Sequence, residues 1–172
     1  MSNWRISSFS GALLAAYFIP GWASVAYTIM MTPVRGLYER PSVSVALYAS
    51  DHLQMASMTT VRFAWLLALG RLTVVAFFAL FLLLTLASFI RKQTSGGEAL
   101  AIALGIGSVI SFASMIMASQ VGEAEALRLH ATELLMMLGT VIVMLFDAPV
   151  APKTVEAPSE LALQEAELSY NG

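Results

Sequence analysis

Residues 72–90 constrain this chain more than any other stretch. They read LTVVAFFALFLLLTLASFI, nineteen residues without a charge, set between Arg71 and the pair Arg91-Lys92. A helix of that length is roughly 28 Å long, about the thickness of a bilayer's hydrocarbon core. A helix on the surface of a soluble protein keeps one polar face toward water, and this stretch has none. It is therefore a membrane span. The sequence as a whole predicts an all-α integral membrane bundle of four transmembrane helices with one short amphipathic surface helix. Composition agrees: 58% of the 172 residues are hydrophobic and 12% are charged, against about 25% charged in soluble domains. The net charge of −2 offers no basic surface to a nucleic acid. The absence of cysteine excludes disulfides, thiolate metal sites, iron–sulfur clusters and cysteine nucleophiles.

The first span is expected over residues 11–31, preceded by Trp4 and Arg5 as interface anchors. Pro20 lacks the N–H that the carbonyl of Ala16 would use, so a kink is expected there. A signal peptide is the rival reading of this region, with Ser24-Val25-Ala26 as its cleavage site. The length of the apolar run favours a span. Pro33 and Pro41 then punctuate a mixed connection. Residues 42–60 have helix-like composition but too many polar residues to span, and read as an amphipathic helix on the membrane surface.

The second span is expected over residues 61–90, long enough that it must tilt or protrude. In the following QTSGGE, Gly96-Gly97 suit a tight turn and Glu98 suits the positive end of the next helix. The third span, 99–119, carries Ala103, Gly107, Ser111 and Ser119 at multiples of four, a small-residue stripe that lets helix backbones approach closely. The fourth is expected over 126–146, ended by Asp147 and Pro149. Residues 148–172 form a polar tail with three prolines and a helix-like SELALQEAEL, read as docking on a protein partner or remaining a mobile tail.

Four spans put both ends of the chain on one side. Basic residues do not choose that side. Arg5, Arg91, Lys92 and Lys153 lie with the termini, against Arg35, Arg40, Arg62 and Arg128 opposite, with Arg71 near the latter.

Glu133 is the strongest candidate for chemistry. Only thirteen residues, LLMMLGTVIVMLF, separate it from Asp147, so it falls within the hydrocarbon layer. A carboxylate there must be protonated, paired or facing a wet cavity. Arg71, at the corresponding end of the second span and one interface further out, is the expected partner, its long side chain reaching inward to Glu133 or outward to phosphates. The pair reads either as a structural tie fixing helix register or as part of a proton or ion pathway. His52 and His130 lie on the same side and could together ligate a haem, with Ala126 one turn before His130 leaving room for a ring. The plainer reading is two interfacial polar groups. His52, Met55 and Met58, three apart, would share a helix face suited to Cu(I), although methionine is common filler in apolar helices. There is no HExxH, no phosphate-cradling loop and no GxSxG; Gly105-Ile106-Gly107 falls inside a span and reads as packing.

The function these features predict is non-enzymatic: an accessory or assembly subunit of a larger membrane complex, in contact with the lipid bilayer and other membrane subunits, in a bacterial inner membrane. Few polar residues within the spans and an outer surface rich in Phe and Leu on the second one point that way. The alternatives are a small transporter or channel built on Glu133 and Arg71, and a haem- or pigment-binding membrane subunit built on His52 or His130.

Overall fold

Lipid offers no hydrogen bonds, so a chain this apolar must satisfy its backbone internally, and helices do so within one segment. The computed structural model describes residues 6–54, 56–91 and 96–147, and these are helical with short connections and no strand. Four helices are long and apolar enough to cross a membrane: α1 (Ile6–Met31), α4 (Ser57–Arg91), α5 (Gly97–Val121) and α6 (Ala124–Asp147). Each contains its expected span and extends a few residues beyond it. Two short helices, α2 (Pro33–Leu37) and α3 (Val43–Asp51), lie in the connection between α1 and α4. The anchors Trp4 and Arg5, Met55, the first half of the QTSGGE turn and the tail with its docking helix lie outside the described residues.

The long helices form a closed ring: α1 packs on α4 and α6, and α5 packs on the same two. All four neighbouring pairs are antiparallel. Phe18 stacks on Phe78, with Ala26 and Ala68 further along the same seam. On the opposite flank Ser7 meets Asp147, Ser10 meets Thr140 and Trp22 meets Glu133. The α5–α6 link is tight because Gly122 takes a left-handed φ of 74°, which lets its own N–H and that of Glu123 both reach the carbonyl of Ala118. That left-handed glycine is not at Gly96-Gly97, where the expected turn placed it: Gly96 is extended at φ −179° and Gly97 begins α5.

α1 continues through Pro20, which is exposed, so the carbonyl it strands faces outward. Beyond it the hydroxyls of Ser24, Thr28 and Thr32 donate back to carbonyls three or four residues earlier, a common way of satisfying helix carbonyls in lipid. α4 is 35 residues long, about 52 Å, so it exceeds the roughly 30 Å hydrocarbon layer as its sequence predicts.

The core has two parts. The half nearest the termini is bulky, with Leu14, Phe18, Phe78, Phe81, Leu100, Leu104 and Met137 interlocked. The other half is built from small residues, Ala26, Ala46, Ala64 and Ala68, with Ile29 and Leu37. Those alanines make room for the α2–α3 connection, which folds back against the bundle. Gly36 shows how tightly: a Cβ there would lie 2.8 Å from the backbone of Ile29. The short helix expected over residues 42–60 is present but ends at Asp51, and Ser57 onward belongs to α4. One of its faces is buried, with Ser44, Val45, Ala46 and Ala49 turned inward, and the helix packs on α5.

The small-residue stripe also resolves into detail. Ala103, Gly107 and Ser111 are buried, but Ser119 is exposed, and Ser114 and Ala118 continue the seam instead. Geometry explains the correction. At about 100° per residue, a four-residue step advances some 40° beyond a full turn, so sixteen residues carry Ser119 nearly to the far face.

Candidate functional site: a buried polar layer

Between the two halves of the core lies one layer of polar side chains, contributed by all four long helices and by the folded-back connection. Its centre is Glu133 on α6, only 6% exposed. Oε1 accepts a hydrogen bond from the indole Nε1 of Trp22 on α1 at 2.9 Å. Oε2 accepts one from the Ser111 hydroxyl on α5 at 3.1 Å and lies 2.9 Å from Nδ1 of His130, one turn earlier on α6. An ionised carboxylate only accepts, so in that state Nδ1 carries the proton. Three helices thus meet on one carboxylate.

Arg71 occupies the other side of Trp22. It is 2% exposed and among the largest fully buried side chains. Its guanidinium donates to the Ser42 hydroxyl at 3.1 Å and to the carbonyl of Pro41 at 3.0 Å. Its Cζ lies 5.7 Å from the centroid of the Trp22 ring, within cation–π range. Pro41 and Ser42 precede α3 in a non-helical turn. Irregular backbone at membrane depth is tolerated where protein supplies its partners, and Arg71 supplies them here.

Two expectations change in consequence. Arg71 is not an interfacial residue reaching toward phosphates, but an interior one. Nor does it form a direct ion pair with Glu133: the described ion pairs are His130 with Glu133 and, on the surface, Arg40 with Glu125 at 3.7 Å. Trp22 bridges instead, giving its N–H to the acid and its ring face to the base. The sequence contained a signal for this. A tryptophan sixteen residues past the start of a helix this apolar needs an acceptor for its N–H. The other omission, Ser42 and Pro41 as partners of Arg71, follows from placing that connection on the membrane surface and not inside the bundle.

The histidines part company. His130 is buried at 2% and engaged with Glu133, whereas His52 is exposed at the end of α3 and stacks on Tyr48 with ring centroids 4.9 Å apart. The structure does not bring them together as two ligands of one haem. The proposed copper face likewise lacks its premise, because His52, Leu53, Gln54 and Ala56 are not helical, so His52 and Met58 do not share a helix; Met55 is outside the described residues. Among the described residues no three His, Asp or Glu side chains cluster as metal ligands.

The layer is also not arranged for nucleophilic catalysis. Glu133 accepts from Ser111 and contacts His130 through the same oxygen, so the acid lies between hydroxyl and imidazole. A nucleophile needs the imidazole on its own hydroxyl. What the arrangement does provide is a compact set of opposite charges held by neutral donors. Three buried atoms in or near it have no hydrogen-bond partner among the described residues: Arg71 Nε, His130 Nε2 and Ser44 Oγ. Comparison of the chain with protein-family models, with curated proteins and with solved structures finds no match.

Proposed function

We propose that this protein is a non-enzymatic membrane subunit, a rigid four-span body that serves an assembly by association. The observation that supports this reading is the engagement of Glu133: each carboxylate oxygen is hydrogen-bonded, together to side chains of α1, α5 and α6. A group so engaged ties helices together, whereas a substrate-handling carboxylate needs an open coordination position. The outer faces of the long helices carry large apolar side chains such as Leu69, Leu83, Val109 and Leu135, a surface that suits lipid or another span. A helical architecture, unlike a barrel, fits an inner membrane, and a bacterial inner membrane is the setting we propose. Solubilisation of the native membrane in mild detergent, followed by affinity capture of the tagged full chain, tests the reading. A stoichiometric membrane partner is expected. Recovery of the chain alone after crosslinking in the intact membrane contradicts it.

One observation favours a second reading, a small transporter or channel. The partnerless Arg71 Nε and His130 Nε2 are polar atoms that a passing ion or proton carrier would meet. Reconstitution into liposomes with pH- and ion-sensitive dyes separates the two. A flux that Glu133→Gln abolishes would replace the subunit reading.

A further inference from the structure

The seam between the end of α1 and the first half of α4 holds a groove on the outside of the bundle. Its volume is about 500 Å³, and it is lined by Met30, Arg62, Trp65, Leu66, Leu69 and Leu72. We propose that this groove binds one anionic phospholipid, its phosphate on Arg62 and an acyl chain along the leucines.

The lining is almost wholly apolar, with one cationic residue in it. Four lining residues are aliphatic or thioether side chains, and Arg62 is the single charge among the six. Arg62 is exposed and makes no hydrogen bond or ion pair with the described residues, unlike Arg71 and Arg40. Residues 62, 65, 66 and 69 recur at helical spacing, so they form one continuous face of α4. Leu66 and Leu69 on that face are 66% and 62% exposed, open to whatever surrounds the bundle.

Position along the membrane normal fits the same occupant. From Arg62 to Leu72 is ten residues of helix, about 15 Å, half of the roughly 30 Å hydrocarbon layer and so the depth of one leaflet. Arg62 stands at the end of the bundle where α1 and α5 finish and α6 begins, which is where headgroups lie. Trp65, one turn inward, is half exposed, with the amphipathic ring that favours that boundary. A guanidinium can grip a phosphate with two parallel N–H donors. A zwitterionic headgroup brings its own cation to the same phosphate; phosphatidylglycerol does not, so the groove should prefer the anionic lipid.

Trp65 reports on its own neighbours. The chain has three tryptophans. Trp22 is buried at 5%, and Trp4 is removed by Trp4→Phe in every protein tested. Bromine atoms on an acyl chain quench a tryptophan they touch. The full chain is reconstituted in phosphatidylcholine vesicles containing a small, fixed fraction of brominated lipid, either brominated phosphatidylglycerol or brominated phosphatidylcholine. Severalfold stronger quenching by the brominated phosphatidylglycerol is expected. Arg62→Gln should abolish that preference yet quench normally in a fully brominated bilayer, which shows that it inserts. Arg128→Gln, an exposed arginine on α6, should keep the preference. Equal quenching by the two lipids in the unmodified groove overturns the proposal. So does a preference that survives Arg62→Gln, or one that Arg128→Gln removes equally, because either makes it a property of general surface charge.

Discussion

Trp22 is the residue on which the interior turns. It lies between a buried cation and a buried anion, and joins them without direct contact between the two. Trp22→Phe keeps an aromatic face for Arg71 but removes the donor to Glu133 Oε1. Leaving a buried charged acceptor short of a partner costs about 1–3 kcal/mol. Equilibrium unfolding in mixed micelles should register a loss of that size, with the helix content of the folded state unchanged. Arg71 should be less forgiving. Arg71→Met fills similar space but strands the Pro41 carbonyl, the Ser42 hydroxyl and the charge of Glu133. Breaking a desolvated charge arrangement from one side costs about 3–5 kcal/mol. Arg71→Lys should fall in between, because an ammonium keeps the charge but lacks the fork that reaches two acceptors at once. If Arg71→Met proved no worse than Arg71→Lys in the same unfolding assay, the interior role of the guanidinium would be wrong.

The helices themselves were largely legible in the residues, and the connection between α1 and α4 was not. Long uncharged runs admit one reading in lipid, so the four spans follow from apolar length alone. Their side-to-side contacts follow less well. Gly107 and Ser111 could be placed on a seam, but whether that seam meets α4 or α6 depends on rotation, and a drift of some 40° per four residues was enough to take Ser119 out of it. The connection between α1 and α4 is polar enough to pass for a surface segment, and the burial of Ser42 and the inner face of α3 depends on Arg71, thirty residues away from Pro41, turning inward. No local pattern carries that information. Two glycines measure the consequence. At Gly107 an added Cβ would meet the flexible Met137 Sδ at 2.8 Å, whereas at Gly36 it would meet the backbone of Ile29 at the same distance. Gly107→Ala should therefore cost little, because a thioether can move aside. Gly107→Leu should force α5 from α6. Gly36→Ala should already be damaging, by about 1–3 kcal/mol, since backbone cannot yield. Equal thermal stability of Gly36→Ala and Gly107→Ala in detergent would count against the folded-back connection. At the opposite end, Asp147 accepts from the backbone N–H and hydroxyl of Ser7, in the first turn of α1. It acts as a capping group lent by another helix, and Asp147→Ala should lose about 0.5–2 kcal/mol.

Taken together, the ring of antiparallel neighbours fixes a topology. Gly97 lies at the end of the bundle that holds Ile6 and Asp147, and Glu39 and Glu123 lie at the other. With no native cysteine to interfere, Glu39→Cys and Glu123→Cys should react with an impermeant maleimide from one side of a sealed vesicle and Gly97→Cys from the other. Within that frame hydrophobic burial does not distinguish inside from outside, because lipid is as apolar as the core; packing and interhelical hydrogen bonds hold the helices together. The bulky half of the core supplies packing, and the polar layer supplies bonds among α1, α4, α5, α6 and the connection. The claim that this layer is a connected unit is tested most directly by a double-mutant cycle between Trp22→Phe and Glu133→Met, followed by reversible unfolding in mixed micelles. Methionine keeps much of the glutamate's volume and cannot accept the indole proton. A coupling energy of about 1–2 kcal/mol is expected for a charge-assisted bond between α1 and α6. Effects that add to within about 0.5 kcal/mol would mean that the two side chains do not interact, and that the polar layer does not hold the bundle together.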